Sequence, residues 1–217
     1  MEALKVKIEI NNVRKRFYPK YGEPVLAIDR LSFSVGAGEF CSIVGPSGCG
    51  KSTLIRMIAG LESVSSGSIK IHSSGENRPL TAMVFQEMSL FPWMTVFENV
   101  AYGLRMRREN QRTIKERVDY FLEITGLAKF RNSYPHQLSG GMKQRASVAR
   151  AFAMDPEVLL MDEPFAALDE QNKYILQEEL LSIWEKNKKT VLFITHSIDE
   201  AIYLSDRIFV MTAHPGR

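Results

Sequence analysis

A glycine-rich segment at residues 45–53, GPSGCGKST, combines residue types suited to phosphate binding. It fits the pattern G-x-x-x-x-G-K-[ST] and lies between a short apolar run and a helical pattern. Glycines let the backbone curl until its amide groups point at phosphate oxygens, and the following helix adds its positive end. Lys51 would supply a full positive charge, and Ser52 a hydroxyl ligand for Mg²⁺. The segment predicts a nucleotide triphosphate site formed by Gly45, Pro46, Ser47, Gly48, Cys49, Gly50, Lys51, Ser52 and Thr53.

Two adjacent acidic residues, Asp162 and Glu163, follow the apolar run VLLM. Because adjacent side chains on an extended chain point to opposite sides, the two carboxylates can act separately. We predict that Asp162 holds Mg²⁺ through water, whereas Glu163 faces the water that attacks the γ-phosphate. Taken alone, the two acids fit a cap on the helix after Pro164 equally well. The phosphate-binding segment upstream favours the catalytic interpretation.

Apolar runs and helical patterns alternate along the chain and would position these residues. Alternating burial is predicted around Val6–Ile10 and Leu31–Val35, and short buried strands at 40–44, 82–85, 158–161, 191–195 and 208–211. Helical spacing of apolar residues occurs at 54–61, 114–122 and 176–184. This order predicts an α/β fold with a mostly parallel sheet, helices on both faces and an antiparallel N-terminal β portion.

One stretch between two of these strands has helical patterns and no convincing strand. We predict a single domain over residues 1–217, in which about 87–157 form an inserted α-helical subdomain. Residues 1–86 and 158–217 would form the phosphate-loop core.

Composition restricts the classes of function. The 28 Lys and Arg residues against 25 Asp and Glu leave a net charge of +3, which does not indicate nucleic-acid binding. No apolar run approaches the ~18 residues that cross a bilayer, so we expect a soluble chain whose membrane role requires a partner. The 2 cysteines, Cys41 and Cys49, indicate a reducing compartment. We also expect that alkylation of Cys49 blocks nucleotide binding and that bound nucleotide protects the thiol, because Lys51 and the helix N-terminus favour the thiolate.

The segment LSGGMKQR at residues 138–145 is the most specific motif in the chain. Together with the phosphate-binding segment, VLLMDE at 158–163, AALD at 166–169 and TH at 195–196, it resembles the ATP-binding subunit of ABC transporters. The motifs occur in the family's order over essentially the whole chain. The resemblance implies ATP and Mg²⁺ as cofactors and an ATPase that closes head to tail as a dimer over two ATP molecules.

The resemblance also implies roles for further residues. Ser139, Gly140 and Gly141 would contact the γ-phosphate held by the second copy, and Asp169 would link the two copies. Gln86 would touch Mg²⁺ and the attacking water, and His196 the γ-phosphate. Phe17 would stack on adenine, with Tyr18 as the competing residue.

The apolar cluster Leu90, Phe91, Trp93 and Met94 lies where the family's subunits receive a helix of the membrane-spanning permease. Local core packing is the alternative for this cluster. The segments SLFPW, TVFENV and HPGR resemble importers of nitrate, sulfonates or taurine, which implies an indirect solute-binding partner and a location on the cytoplasmic face of the membrane. The alternatives are a soluble ABC-type ATPase acting on nucleic acid or ribosomes, and an importer or exporter with another substrate.

Overall fold

The computed structural model of the protein describes residues 5–86, 89–166 and 168–217. It contains one parallel and one antiparallel sheet, as the sequence predicted. The strands are β1 (Val6–Phe17), β2 (Val25–Gly36), β3 (Phe40–Val44), β4 (Ser66–Ile71), β5 (Thr81–Val84), β6 (Val158–Asp162), β7 (Thr190–Ile194) and β8 (Arg207–Val210). The helices are α1 (Lys51–Ile58), α2 (Val96–Met106), α3 (Gln111–Ile124), α4 (Gly140–Ala153), α5 (Glu170–Asn187) and α6 (Ile198–Leu204).

The parallel sheet has the strand order β5-β6-β7-β3-β8. Every residue of β3, β6 and β7 is buried, which explains why these strands occur in the sequence as continuous apolar runs. The carboxyl ends of β5, β6, β7 and β3 meet at one edge of the sheet. The chain that follows these ends carries Gln86, Asp162, Glu163, His196 and the phosphate-binding segment, so the topology gathers them at that edge.

The antiparallel sheet has the order β2-β1-β4, and β1 pairs with both neighbours. Its apolar face covers α1: Leu54 and Ile55 of the helix are buried in one cluster with Ile8 and Ile10 of β1. We did not predict β4 from the sequence, because its SGSIKI segment begins with small polar residues and none of its residues is buried. α1 begins at Lys51, where the helix after the phosphate-binding segment was predicted to begin, and ends at Ile58, three residues before the end of the apolar spacing at 54–61.

The opposite face of the parallel sheet is covered by α5. Leu176, Leu180, Ile183 and Trp184, which the helical spacing singled out, are all buried. The indole ring of Trp184 packs edge-on against the ring of Phe40 in β3, with centroids 5.6 Å apart. The structure therefore confirms helices on both faces of the sheet.

Residues 89–157 contain α2, α3, α4 and short 3-10 turns, and no strand. The apolar residues that predicted α3 (Ile114, Val118, Phe121 and Leu122) are buried against the other helices. Residues 87 and 88, where the predicted helical subdomain begins, lie outside the described residues. The division into a core and an inserted subdomain stays a prediction.

In the part of the chain that the structure describes, none of the helices is both long enough and apolar enough to cross a lipid bilayer.

Candidate nucleotide site

The phosphate-binding segment connects β3 to α1, and its backbone requires glycine. Gly48 and Gly50 have φ angles of 76° and 102°, in the left-handed region that side chains disfavour. A Cβ on Gly45 would lie 2.8 Å from the carbonyl oxygen of Met211, so this position has no room for a side chain. The Lys51 ammonium donates to the carbonyl oxygens of Gly45 (2.8 Å) and Pro46 (3.1 Å) and lies inside the loop.

A cavity of about 480 Å³ lies in front of this loop. The structure brings together ten predicted site residues around it: Phe17, Ser47, Gly48, Gly50, Lys51, Ser52, Thr53, Gln86, Glu163 and His196. The sequence did not identify three other lining residues: Val25, Ala27 and His214. The cavity thus joins a cationic loop to a carboxylate, an amide and an imidazole from the neighbouring strand ends.

Asp162 lies beneath the loop, at the end of β6. Its Oδ1 accepts a 2.9 Å hydrogen bond from the Ser52 hydroxyl, although the two residues are 110 positions apart. Burial raises the pKa of the Asp162 carboxyl, while the hydrogen bond from Ser52 and the positive charge of Arg56 act in the opposite direction. A buried carboxylate beside a hydroxyl is stabilised by a nearby cation.

The Ser52 hydroxyl and the Asp162 carboxylate are oxygen ligands that fit Mg²⁺. The ion commonly takes one or two protein oxygens and completes its octahedron with water and substrate phosphates. Among the described residues there is no cluster of three or more His, Cys, Asp and Glu that could hold a metal by itself. The fit therefore involves Ser52 and Asp162 together with a bound triphosphate.

Glu163 adopts a left-handed backbone conformation with φ 45°, which is uncommon for a non-glycine residue. The prediction that the chain continues extended through Glu163 is wrong. The Glu163 N–H donates to the Ile194 carbonyl oxygen at 2.9 Å, which fixes the turn against β7. The turn, rather than strand alternation, separates the side chain of Glu163 from that of Asp162.

Glu163 contacts the two polar residues predicted to lie near the γ-phosphate. Its Oε2 accepts a 3.2 Å hydrogen bond from Nε2 of Gln86 and lies 3.4 Å from Nδ1 of His196. Three strands therefore contribute one polar group each to this end of the cavity. Backbone strain at such a position is typical of functional sites.

Cys49 does not contribute its side chain to the cavity. Cys49 is 1% exposed and packs in the apolar cluster beneath the loop, with its thiol 4.0 Å from Nζ of Lys51. This burial contradicts the expectation that a thiol reagent readily reaches Cys49 in the folded protein. Gly45 and Pro46 also lie outside the cavity lining, and they contact Lys51 through their carbonyl oxygens.

Phe17 and Tyr18 were alternatives for stacking on adenine. Phe17 lines the cavity and is 38% exposed, whereas Tyr18 is 73% exposed and lies outside the lining. The Lys15 ammonium lies 4.8 Å from the centroid of the Phe17 ring, on one face of it. The geometry favours Phe17.

Ser139, Gly140 and Gly141 lie outside the cavity. Ser139 caps α4: its Oγ accepts from the backbone N–H of Met142 at 3.3 Å. The carbonyl oxygen of Asp169 accepts from Lys173 N–H at 3.0 Å, and this residue is likewise outside the lining. Ala167, within the AALD motif, is outside the described residues. One copy of the chain does not bring these groups to its own phosphate-binding loop.

The apolar cluster predicted for docking divides into core and surface residues. Leu90 is buried and belongs to the core, whereas Trp93 is 69% exposed. Phe91 is half-buried, and its ring centroid lies 4.7 Å from that of Tyr102. A groove of about 400 Å³ lies beside it, lined by Ala82, Met83, Phe85, Ser89, Phe91, Tyr102, Gly103, Arg150, Ala151 and Met154.

Asn99 fixes the shape of this surface, and no motif in the sequence identified it. The fully buried side chain donates to the carbonyl oxygens of Phe91 (3.2 Å), Met94 (3.0 Å) and Thr95 (3.0 Å). It also accepts from Phe91 N–H at 2.8 Å. One amide therefore satisfies the backbone of the turn that presents Phe91 and Trp93.

Comparisons with known proteins agree with this geometry. A family model described as ABC transporter matches residues 28–166. An uncharacterized ABC transporter ATP-binding protein of Methanocaldococcus jannaschii is 48% identical over 100% of this chain and 81% of its own length. The aliphatic sulfonates import ATP-binding protein SsuB of Bacillus anthracis is 46% identical over 96% of this chain and 82% of its own.

Solved structures of the ABC transporter cassette MJ0796 share the fold. Its dimeric structure superposes with a TM-score of 0.83 at 32% identity and covers 94% of each chain. A dimeric post-hydrolysis state with ADP and Pi bound gives a TM-score of 0.83 at 30% identity, over 97% of each chain. The chain therefore belongs to the ABC transporter family and carries that family's ATP-binding and ATP-hydrolysing domain.

Proposed function

We propose that this protein hydrolyses ATP as one of two identical subunits that close head to tail, and that closure drives uptake of a small organic or inorganic anion through a membrane-spanning permease. The subunit would lie on the cytoplasmic face of the membrane. A solute-binding protein would deliver the anion to the permease.

One observation carries the dimer proposal. The cavity has a complete phosphate-binding side, but it lacks the capped helix end formed by LSGGMKQR at residues 138–145, which we call the signature segment. Ser139 and the first turn of α4 lie outside the cavity of their own chain. A helix N-terminus with a serine cap is suited to bind an anion. A second copy in head-to-tail orientation would place this end against the γ-phosphate, as the dimeric cassettes of related sequence support.

Within each site, the residues divide the chemistry. Lys51 would neutralise the β- and γ-phosphate oxygens, and the glycine loop would donate its amide groups to them. Ser52 and Asp162 would hold Mg²⁺, which supplies charge neutralisation for the triphosphate when bound. Glu163 would orient the attacking water and accept its proton, while Gln86 and His196 hold the carboxylate and the water in place.

The head-to-tail arrangement predicts a selective effect of adding charge to the signature segment. In a Glu163→Gln background, we expect Ser139→Glu to abolish the ATP-dependent dimer, because the new carboxylate would face the partner's γ-phosphate. At 4 Å and an effective dielectric constant of 20, two like charges repel by about 4 kcal/mol. Size-exclusion chromatography with light scattering measures the dimer. Fluorescent ATP binding to the single subunit should remain within about threefold, since each subunit's own loop is intact.

Gln111→Glu is the matched control, because it adds the same charge to the exposed first turn of α3. We expect that variant to dimerise normally. Persistence of the ATP-dependent dimer in the Ser139→Glu variant would contradict the head-to-tail arrangement.

The permease is expected to dock on the groove beside Phe91. The sequence relation to a sulfonate importer supports such a partner, and Trp93 and Tyr102 present an aromatic surface next to the apolar groove. Large aromatic residues carry much of the binding energy in helix-in-groove contacts. The same relation supports an anionic solute.

We expect Trp93→Ala to lower co-purification of the co-expressed permease by about tenfold or more, since hot-spot aromatics contribute about 2 kcal/mol. Its basal ATPase rate should be unchanged, because Trp93 is exposed and lies outside the nucleotide cavity. Tyr120→Ala on α3 is the control, as it removes another exposed aromatic residue. Equal recovery of the permease with the Trp93 and Tyr120 variants would exclude this docking surface.

A further inference from the structure

The chain after β8 returns to the nucleotide cavity. His214, in the segment HPGR, lines this cavity together with the phosphate-binding loop and Phe17. No motif assigned a role to it. Of the three lining residues that the sequence did not identify, His214 alone has a side chain that forms hydrogen bonds, since Val25 and Ala27 are apolar.

The position of this segment is fixed by contacts on both sides. Gly216 donates its N–H to the Ala27 carbonyl oxygen at 3.1 Å and accepts from Asp29 N–H at 3.0 Å. A Cβ on Gly216 would lie 2.2 Å from the carbonyl oxygen of Cys49, so its backbone packs directly on the phosphate-binding loop. The Arg217 guanidinium also contacts the Asp29 carboxylate at 3.0 Å. His214 is therefore held beside β2 and the loop.

The beginning of β2 leads from the adenine end of the cavity to its phosphate end. Val25 pairs with Phe17, the residue proposed to stack on adenine. Two residues later, the Ala27 carbonyl oxygen lies 3.0 Å from where a Cβ on Gly50 would be, in contact with the phosphate-binding loop. His214 precedes Gly216 by two residues, so the Cα atoms of these two residues lie within ~7 Å of each other, and Gly216 bonds to Ala27. His214 therefore lines the same cavity as Phe17 at one end and the phosphate-binding loop at the other.

In a nucleotide, the ribose lies between the base and the triphosphate. A neutral imidazole offers one N–H donor and one nitrogen acceptor, which matches a hydroxyl that can accept or donate. We propose that the His214 imidazole hydrogen-bonds a ribose hydroxyl of the bound nucleotide and thereby favours ribonucleotides over deoxyribonucleotides. This inference rests on the proposed ATP site and adds a sugar contact to it.

Calorimetric titration with ATP, 2′-deoxyATP and 3′-deoxyATP, each with Mg²⁺, tests the contact. We expect the wild-type protein to bind at least one deoxy analogue about 3- to 10-fold more weakly than ATP, as the net effect of one hydrogen bond requires. The His214→Ala variant should bind ATP more weakly than the wild type by a similar factor. It should bind that deoxy analogue as tightly as it binds ATP. Because His214 is exposed, the melting temperature of the variant should not change.

His72→Ala, an exposed histidine outside the cavity, should bind all three nucleotides as the wild type does. If His214→Ala weakens the binding of all three nucleotides equally, the ribose contact is overturned. Such a result would indicate that His214 contacts the phosphates or the base instead. Unchanged ATP affinity in His214→Ala would also overturn it. If Lys51→Ala weakens ATP binding by about 100-fold or more in that case, the ATP site stands. Absence of ATP binding to the wild type would defeat both proposals.

Discussion

Glu163→Gln is expected to lower the rate of ATP hydrolysis by about 10²- to 10⁴-fold, the range contributed by a positioned general base. The glutamine has nearly the same shape but cannot accept the proton of the attacking water. Its amide oxygen can still accept the hydrogen bond from Gln86, which is 3.2 Å from Oε2 of Glu163 in the present structure. The local geometry should therefore survive while the base is lost.

ATP affinity should be retained in this variant, because the loop, Lys51 and the Ser52–Asp162 pair are untouched. An ATP-bound dimer should therefore accumulate, and size-exclusion chromatography with Mg²⁺ and ATP would detect it. Phosphate release at steady state measures the hydrolysis rate. Glu178→Gln, which makes the same change on the exposed side of α5, should hydrolyse ATP at the wild-type rate. Turnover within threefold of wild type in Glu163→Gln would remove this residue from the role of base.

The parts of the fold that the sequence predicted best are those in which one physical requirement dominates. Strands β3, β6 and β7 are buried on both faces, so they must be continuous apolar runs. α3 and α5 bury one side each and show it as helical spacing. β4 carries neither pattern, because its first residues are small and polar and none of its residues is buried.

The candidate site was predicted to the extent that its residues belong to motifs. The pairing of Ser52 with Asp162 follows from two such motifs and from the meeting of strand ends at one edge of the sheet. Asn99 and His214 act through their place in the fold, since each is an ordinary polar residue in the sequence. The burial of Cys49 depends on which way its side chain turns within the loop, and residue type alone does not determine that.

Lys51→Ala is expected to weaken ATP binding by about 100-fold or more, since charge-assisted hydrogen bonds contribute about 1.5–3 kcal/mol each. Lys51 is 5% exposed, and its ammonium lies within the loop, where it donates to the carbonyl oxygens of Gly45 and Pro46. A triphosphate would offer it β- and γ-oxygens of full negative charge instead. Calorimetric titration with Mg²⁺ and ATP measures the loss of affinity.

Two further variants separate loss of charge from loss of structure. Lys51→Met fills the same volume without the charge and should bind ATP as poorly as Lys51→Ala. Lys70→Ala removes an equal charge from the exposed side of β4 and should bind ATP normally. Recovery of ATP affinity in Lys51→Met would mean that the side chain supports the loop by packing. The same weakening in both Lys51 variants, with unchanged melting temperatures, would instead establish that the charge itself binds the triphosphate.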